Sequence, residues 1–221
     1  MNNKQAKQDL NKPAGFASPA ATWNQRFLGD AFHFGTEPNG WLREQVHTLP
    51  AGGRVLCVAD GEGRNSIWLA RQGFRVDAFD ISDVGVAKAR AWAAREGLAS
   101  RIDFAVCDGD AVAWPTAMYD AVVAIFIQFA DPAMRGRLFA RMAAALKPGG
   151  VLVLQGYTPR QLDYKTGGPP LVEHLYTEAL LREAFADLEI VALRDYEADL
   201  AEGAGHRGRS ALIGLVAHRP R

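Results

Sequence analysis

Arg54-Val55-Leu56-Cys57-Val58-Ala59-Asp60-Gly61-Glu62-Gly63-Arg64-Asn65-Ser66 is the stretch that decides the fold. An apolar run meets two glycines, and a helix-forming segment follows at once. A second apolar run, Phe74 to Phe79, ends on an acid, Asp80. Strand, glycine turn, helix, strand and terminal acid in this order make the nucleotide-type cofactor site of a parallel α/β sheet. Gly61 and Gly63 let the backbone approach a ligand where a Cβ would collide. The helix after them presents unpaired N–H groups, which suit an anionic group such as a carboxylate. The Asp80 carboxylate can accept hydrogen bonds from both hydroxyls of a ribose.

Outward from this core the alternation continues. Strands are predicted over Val55–Ala59, Phe74–Phe79, Ile102–Cys107, Ala121–Phe126 and Val151–Leu154, with helices between them. Gly73 stops the first of these helices, Ser82 caps the next, and Asp131-Pro132 starts another. Thr177 caps a helix through Phe185. Glu189–Tyr196 and Ser210–His218 are two further strands with no long helical pattern between them, so they pair antiparallel. The expected fold class is α/β: a doubly wound, mostly parallel seven-stranded sheet with helices on both faces and a C-terminal antiparallel strand pair. Residues 1–21, rich in Asn, Gln, Lys, Ala and Pro, read as a flexible tail. Residues 22–53 read as a helical or lid segment crowded with Trp23, Phe27, Phe32, Phe34 and Trp41, and residues 54–221 as the cofactor-binding domain.

The chain has 221 residues, with 25 Lys plus Arg against 25 Asp plus Glu. A formal net charge of zero removes the electrostatic argument for broad binding to nucleic acid or anionic membranes. The longest clean apolar run, Ala121 to Ile127, falls far short of the roughly 20 residues of a spanning helix. Cys57 and Cys107 lie on strands separated by another strand, about 9–10 Å apart, beyond disulfide reach. Reduced thiols and a polar N-terminus without a signal core point to the cytoplasm. The five histidines show no paired ligand spacing, so no metal is expected. No nucleophile triad or phosphate loop appears. A dinucleotide fingerprint needs a third glycine where this chain has Ser66, which disfavours NAD.

Asp60-Gly61-Glu62-Gly63-Arg64-Asn65-Ser66, together with Asp80, Asp108 and Lys147-Pro148-Gly149-Gly150, resembles the class I S-adenosylmethionine-dependent methyltransferases. Phe34-Gly35-Thr36-Glu37-Pro38-Asn39 and the Glu-Gly-Arg-Asn run look most like the small-molecule branch, which includes tellurite-resistance and thiopurine methyltransferase relatives. The resemblance implies S-adenosylmethionine as cofactor. Its methionine part would lie along Asp60, Gly61, Gly63, Arg64 and Asn65, its ribose on Asp80 beside Ile81, and its adenine by Asp108 and Gly109. Ile125, Phe126 and Phe129 would flank the adenine or the sulfur, and Phe34 would close the site from the N-terminal segment. This chain departs from the family pattern in having Cys57 where an acid is usual and Ala59 where the first glycine is usual. The missing acid normally orients the methionine ammonium, and Asp60 or Glu62 are the candidates to replace it.

Methyl transfer is an in-line displacement that needs alignment and a water-poor site more than acid–base machinery. Acceptor-side candidates leave the sheet at its carboxyl end, with Tyr157 after the fifth strand and His174 as the candidate base. His206, in Glu202-Gly203-Ala204-Gly205-His206, is a second candidate imidazole. The expected activity is methylation of a small-molecule nucleophile such as a thiol or a chalcogen oxyanion, without nucleic-acid or membrane partners. The alternatives are a non-catalytic module that binds S-adenosylmethionine or S-adenosylhomocysteine, and an NAD(P)-dependent oxidoreductase.

Overall fold

The computed structural model describes residues 18–221. Most of the segment read as a tail therefore lies outside the described residues. Its end does not: Ser18 caps a helix, α1 (Pro19–Phe27), through the Ala21 N–H. A second helix, α2 (Gly40–Gln45), is capped by Asn39. The alternating region then runs β1 (Arg54–Val58), α3 (Arg64–Arg71), β2 (Arg75–Asp80), α4 (Asp83–Arg95), β3 (Ile102–Val106) and β4 (Tyr119–Ile125). It continues with α5 (Pro132–Ala145), β5 (Leu146–Tyr157), α6 (Gln161–Tyr164), α7 (Glu178–Ala184), β6 (Glu189–Glu202) and β7 (His206–His218). The caps read from the sequence are in place: Ser82 accepts from the Gly85 N–H, Asp131 from Met134 and Thr177 from Leu180.

The seven strands form one sheet in the order β3-β2-β1-β4-β5-β7-β6. β1 to β5 pair in parallel, whereas β7 runs antiparallel to both β5 and β6. Strand periodicity sorts the apolar residues onto two faces. Leu56, Val58, Val122, Ala124, Leu152 and Leu154 pack with Leu138, Phe139 and Met142 of α5 and with Leu181 of α7. Val55, Cys57, Val76, Ala78, Val123 and Val153 pack with Ile67 and Leu69 of α3, Trp92 of α4 and Trp41 of α2. Both faces are covered, which is why β1 and β4 read as continuous apolar runs. Gly214 in β7 lets Trp41 lie against the sheet, since a Cβ there would collide with the indole.

Two elements depart from expectation. β5 begins at Leu146 rather than Val151, and Lys147-Pro148-Gly149-Gly150 forms an irregularity in its pairing with β4. More consequentially, the last two strands are far longer than Glu189–Tyr196 and Ser210–His218. Their pairing continues to Glu202↔His206 and closes on Gly203, Ala204 and Gly205. The extension lacks apolar alternation because cross-strand charge pairs support it, among them Arg209 to Glu197 at 2.7 Å. This long hairpin carries its tip to the carboxyl ends of the parallel strands.

Candidate active site

The turn after β1 is the floor of the site. Ala59, Gly61 and Gly63 all take left-handed φ values, of 50°, 61° and 91°. The turn keeps its shape with alanine in the place of the first glycine, at the cost of a backbone region that L-residues disfavour. Gly63 also permits α4 to approach, since a Cβ would sit 2.8 Å from that of Ala89. At the head of α3 the N–H groups of Arg64 and Asn65 have no hydrogen-bond acceptor among the described residues.

Asp80, at the end of β2, organises this floor. One carboxylate oxygen accepts the Gly61 N–H at 2.9 Å and the other accepts the Ser82 N–H at 2.8 Å. Burial outweighs these bonds and raises its pKa. Each oxygen keeps a second lone pair for a ribose hydroxyl. Ile81 follows it, half-buried. Asp60 accepts from the Ser66 hydroxyl at 2.5 Å. Burial, helped by the nearby Asp80 charge, pushes its carboxyl up to about 7 despite the opposing Ser66 bonds and Arg64. Cys57 beneath it is buried, and its thiol is raised by burial and by Asp60. Glu62 does not line the floor. Its carboxylate pairs with Lys88 at 2.5 Å and accepts the His33 N–H at 2.7 Å, fastening the N-terminal segment.

Beyond β3, Asp108 accepts the Asp110 N–H at 2.9 Å and stays half-buried. Asp110, two residues further on, is taken up by Arg137 at 2.5 Å and by Arg141. Gly109 leaves room for the Phe79 ring, which packs edge-on against Trp114, and its carbonyl accepts the Trp114 indole N–H at 2.8 Å. Ile125, Phe126 and Phe129 do not converge as one wall. Ile125 packs with the α3 and α4 face, Phe129 with the α5 face, and Phe126 with Tyr157. Phe129 lies beyond the end of β4, in the turn that leads to α5. Phe126 has left-handed φ, 56°, where the chain leaves β4, and this turns its ring onto Tyr157.

On the opposite side the structure brings Tyr157 to His206 rather than to His174. The Tyr157 hydroxyl lies 2.6 Å from His206 Nδ1. The imidazole is stacked between Phe126, at 4.2 Å between ring centres, and Phe34, at 4.5 Å. His206 is 8% exposed, and burial with the nearby Arg64 charge lowers it to about 3. His174 instead sits in the 3-10 turn Val172–His174, with Nδ1 3.0 Å from the Gln128 carbonyl. Gln128 also bonds the backbone of Tyr157, so His174 helps anchor the β4–α5 connection.

A roof closes over these groups. Phe27 at the end of α1 is fully buried, with its ring 3.2 Å from where a Gly61 Cβ would stand. Residues 28–39 then cross the site, and the hairpin tip docks on them backbone to backbone: Ala204 and Gly205 N–H both donate to the His33 carbonyl, at 2.9 and 3.1 Å. Underneath lies a polar knot that sequence reading missed. Glu202 pairs with Arg64 at 2.7 Å, both side chains being about a tenth exposed or less, and accepts from Asn39 and the Gly40 N–H. Asn39 also reaches Asn65 at 3.0 Å and Gln155 at 2.6 Å, and Gln155 bonds Tyr196.

Residues 55–150 match a family model described as a methyltransferase domain. Among curated relatives, the ubiquinone/menaquinone biosynthesis C-methyltransferase UbiE of Geobacter sulfurreducens is 31% identical over 63% of this chain and 56% of its own length. Methyltransferase GfsG of Streptomyces halstedii is 32% identical over 51% of this chain and 42% of its own. The chain thus spans about half the length of these relatives, or less. Among solved structures, TehB from Haemophilus influenzae aligns with a TM-score of 0.66 at 20% identity, covering 82% of this chain and 62% of that one. A protein of Methanosarcina mazei described among S-adenosylmethionine-dependent methyltransferases aligns with a TM-score of 0.67 at 19% identity, covering 83% and 99%. Over residues 55–150 the chain is similar to methyltransferase domains, and it shares the fold of these solved class I S-adenosylmethionine-dependent methyltransferases. The cofactor of such a domain is S-adenosylmethionine. The left-handed turn, the free N–H groups at α3, and Asp80 and Asp108 at successive strand ends fit that group.

Proposed function

We propose that this protein is an enzyme that transfers a methyl group from S-adenosylmethionine to a small-molecule nucleophile, a thiol, a chalcogen oxyanion or a similar electron-rich centre. The observation that carries the reading is the enclosure of the site: glycine turn, strand-end acids, aromatic stack and polar knot all lie under one roof built from residues 27–39 and the hairpin tip. Such a roof suits a small acceptor better than a polymer, as does the zero net charge. The relatives named for ubiquinone/menaquinone biosynthesis and the likeness to TehB are consistent with it.

When bound, the cofactor supplies an electrophilic methyl group on a sulfonium. The chain's residues hold and align it. Arg64 and Asn65 N–H groups take the carboxylate, Asp60 takes the ammonium in place of the acid absent at position 57, Asp80 takes the ribose hydroxyls, and Asp108 takes the adenine amino group. Phe34 and Phe126 exclude water, so a lone pair on the acceptor meets the methyl carbon without competition. With Cys57 and Cys107 both unpaired, we place the protein in the cytoplasm.

Calorimetric titration with S-adenosylhomocysteine, with NAD(P) in parallel, tests the reading. Micromolar binding of S-adenosylhomocysteine alone supports it, and turnover of thiols or oxyanions then separates an enzyme from a binding module. Tight NAD(P) binding without S-adenosylhomocysteine binding overturns it.

A further inference from the structure

We propose that His206 is the acceptor-recognition residue of this site: Tyr157 donates to Nδ1, the ring therefore carries its proton on Nε2, and this neutral N–H is offered to an acceptor that arrives as an anion or with an exposed lone pair. The proposal rests on the methyltransferase reading and adds to it the residue that recognises the acceptor and the charge state in which the acceptor binds.

The geometry distinguishes this role from general-base catalysis. An imidazole base is usually oriented by a carboxylate that stabilises its protonated form. No carboxylate bonds His206. The charged or titratable groups that face it are Arg64 of α3 and His33 of the segment over the site, both acting against a positive ring, and Tyr157 of β5. Glu202 of β6 is nearby but is committed to Arg64, Asn39 and Gly40. The low pKa that results leaves the ring a poor proton acceptor near neutrality.

The tautomer follows from hydrogen-bond supply. The Tyr157 hydroxyl has one partner among the described residues, His206 Nδ1, so its hydrogen goes there. The phenol is itself held neutral, because burial and the Glu202 charge raise its pKa. Nε2 is thus the protonated nitrogen, and it bonds no protein group among the described residues. Phe34 and Phe126 fix the ring plane by stacking on its two faces, so the only free direction for a ligand is along the ring edge. A cation would meet the N–H donor and the sulfonium, both unfavourable to it. An oxyanion or thiolate would accept from that N–H with the cofactor's positive charge beside it. Such an acceptor brings its electron pair already free: the pair forms the new bond to the methyl carbon, the carbon–sulfur bond of the cofactor breaks with its pair staying on sulfur, and no proton has to move.

Nitrogen-15 NMR of the labelled protein bound to S-adenosylhomocysteine tests this, with the His206 signals assigned through His206→Gln. We expect Nδ1 to behave as an acceptor and Nε2 as protonated, unchanged from about pH 8 down to about pH 5. Tyr157→Phe should mix the tautomers. Selenite and thiophenolate serve as anionic probes and benzylamine as the cationic control. Either anion should shift the Nε2–H signal, and His206→Gln should weaken binding of that anion about tenfold while leaving S-adenosylhomocysteine affinity unchanged. A His206 that titrates near pH 6.5, carries its proton on Nδ1, or ignores both anions while S-adenosylhomocysteine still binds overturns the inference. Failure of S-adenosylhomocysteine to bind overturns the cofactor reading on which it stands.

Discussion

Replacing Asp60 by asparagine should stabilise the ligand-free protein at neutral pH, and replacing His206 by glutamine should stabilise it in acid. The two groups are displaced in opposite senses, Asp60 from 3.8 to about 7 and His206 from 6.5 to about 3. Between pH 3.8 and about 7 the folded state keeps a proton on Asp60 that the unfolded chain has lost, so stability from this group falls as pH rises. Between about pH 3 and pH 6.5 the unfolded chain protonates His206 and the folded state does not, so stability from this group rises with pH. From about pH 4.5 to about pH 6.5 the two slopes oppose each other, each amounting to at most about 2.8 kcal/mol at the limiting slope of about 1.4 kcal/mol per unit. Asp60 retains some solvent access, which brings its share nearer to about 1–2 kcal/mol.

Urea unfolding across that range, expressed as the difference from wild type, reads the effect. The Asp60→Asn difference should grow more favourable as pH rises. The His206→Gln difference should become less favourable over the same interval, and the double variant should show the sum of the two, a shallower dependence on pH than His206→Gln alone. Asparagine can still accept the Ser66 hydroxyl, so the comparison isolates the charge. An Asp60→Asn difference that stays constant from about pH 4.5 to about pH 6.5 would refute the claim that the carboxyl is held protonated.

Asp80→Asn leaves only one oxygen for the Gly61 and Ser82 N–H groups, and should weaken S-adenosylhomocysteine binding tenfold or more by calorimetry. Glu202→Gln strands the buried Arg64 guanidinium and should cost about 3 kcal/mol in urea unfolding, whereas Arg64→Met combined with Glu202→Leu should cost less than either single change. With its ammonium on Asp60, S-adenosylhomocysteine should release close to one proton at about pH 6, seen as a binding heat that depends on the buffer, and Asp60→Asn should abolish the release.

What the sequence made legible is what local chemistry decides. The Ser82, Asp131 and Thr177 caps, the glycine turn and the apolar runs of β1 and β4 are set by neighbours a few residues away, and the structure has them within a residue or two of expectation. Nothing near Asp110 in the sequence shows that arginines of α5 occupy it. The hairpin extension was read as loop because its strands carry charges instead of alternating apolar residues, and Gly203-Ala204-Gly205 looks like flexible chain. Its tip is nevertheless required to be small: Cβ atoms at Gly203 and Gly205 would run into His33, Phe34 and Gly35. His206 therefore looked no better than His174 from its immediate surroundings. Only the Glu202↔His206 register, counted back along two long strands, reveals that it reaches Tyr157.

The same long-range closure explains why the site holds its charges as it does. Arg64 and Glu202, 138 residues apart in the chain, neutralise each other, and Lys88 neutralises Glu62. Asp60 and His206 have no opposite charge of their own, and enclosure leaves each of them uncharged near pH 6. A ligand that brings a sulfonium and an ammonium changes this balance at one place, Asp60, where a carboxylate then becomes favourable. It makes a positive imidazole less favourable still. The acid near the turn and the imidazole under the tip are thus suited to different partners, the first to the cation of the cofactor and the second, as a neutral donor, to the electron-rich acceptor that must approach it.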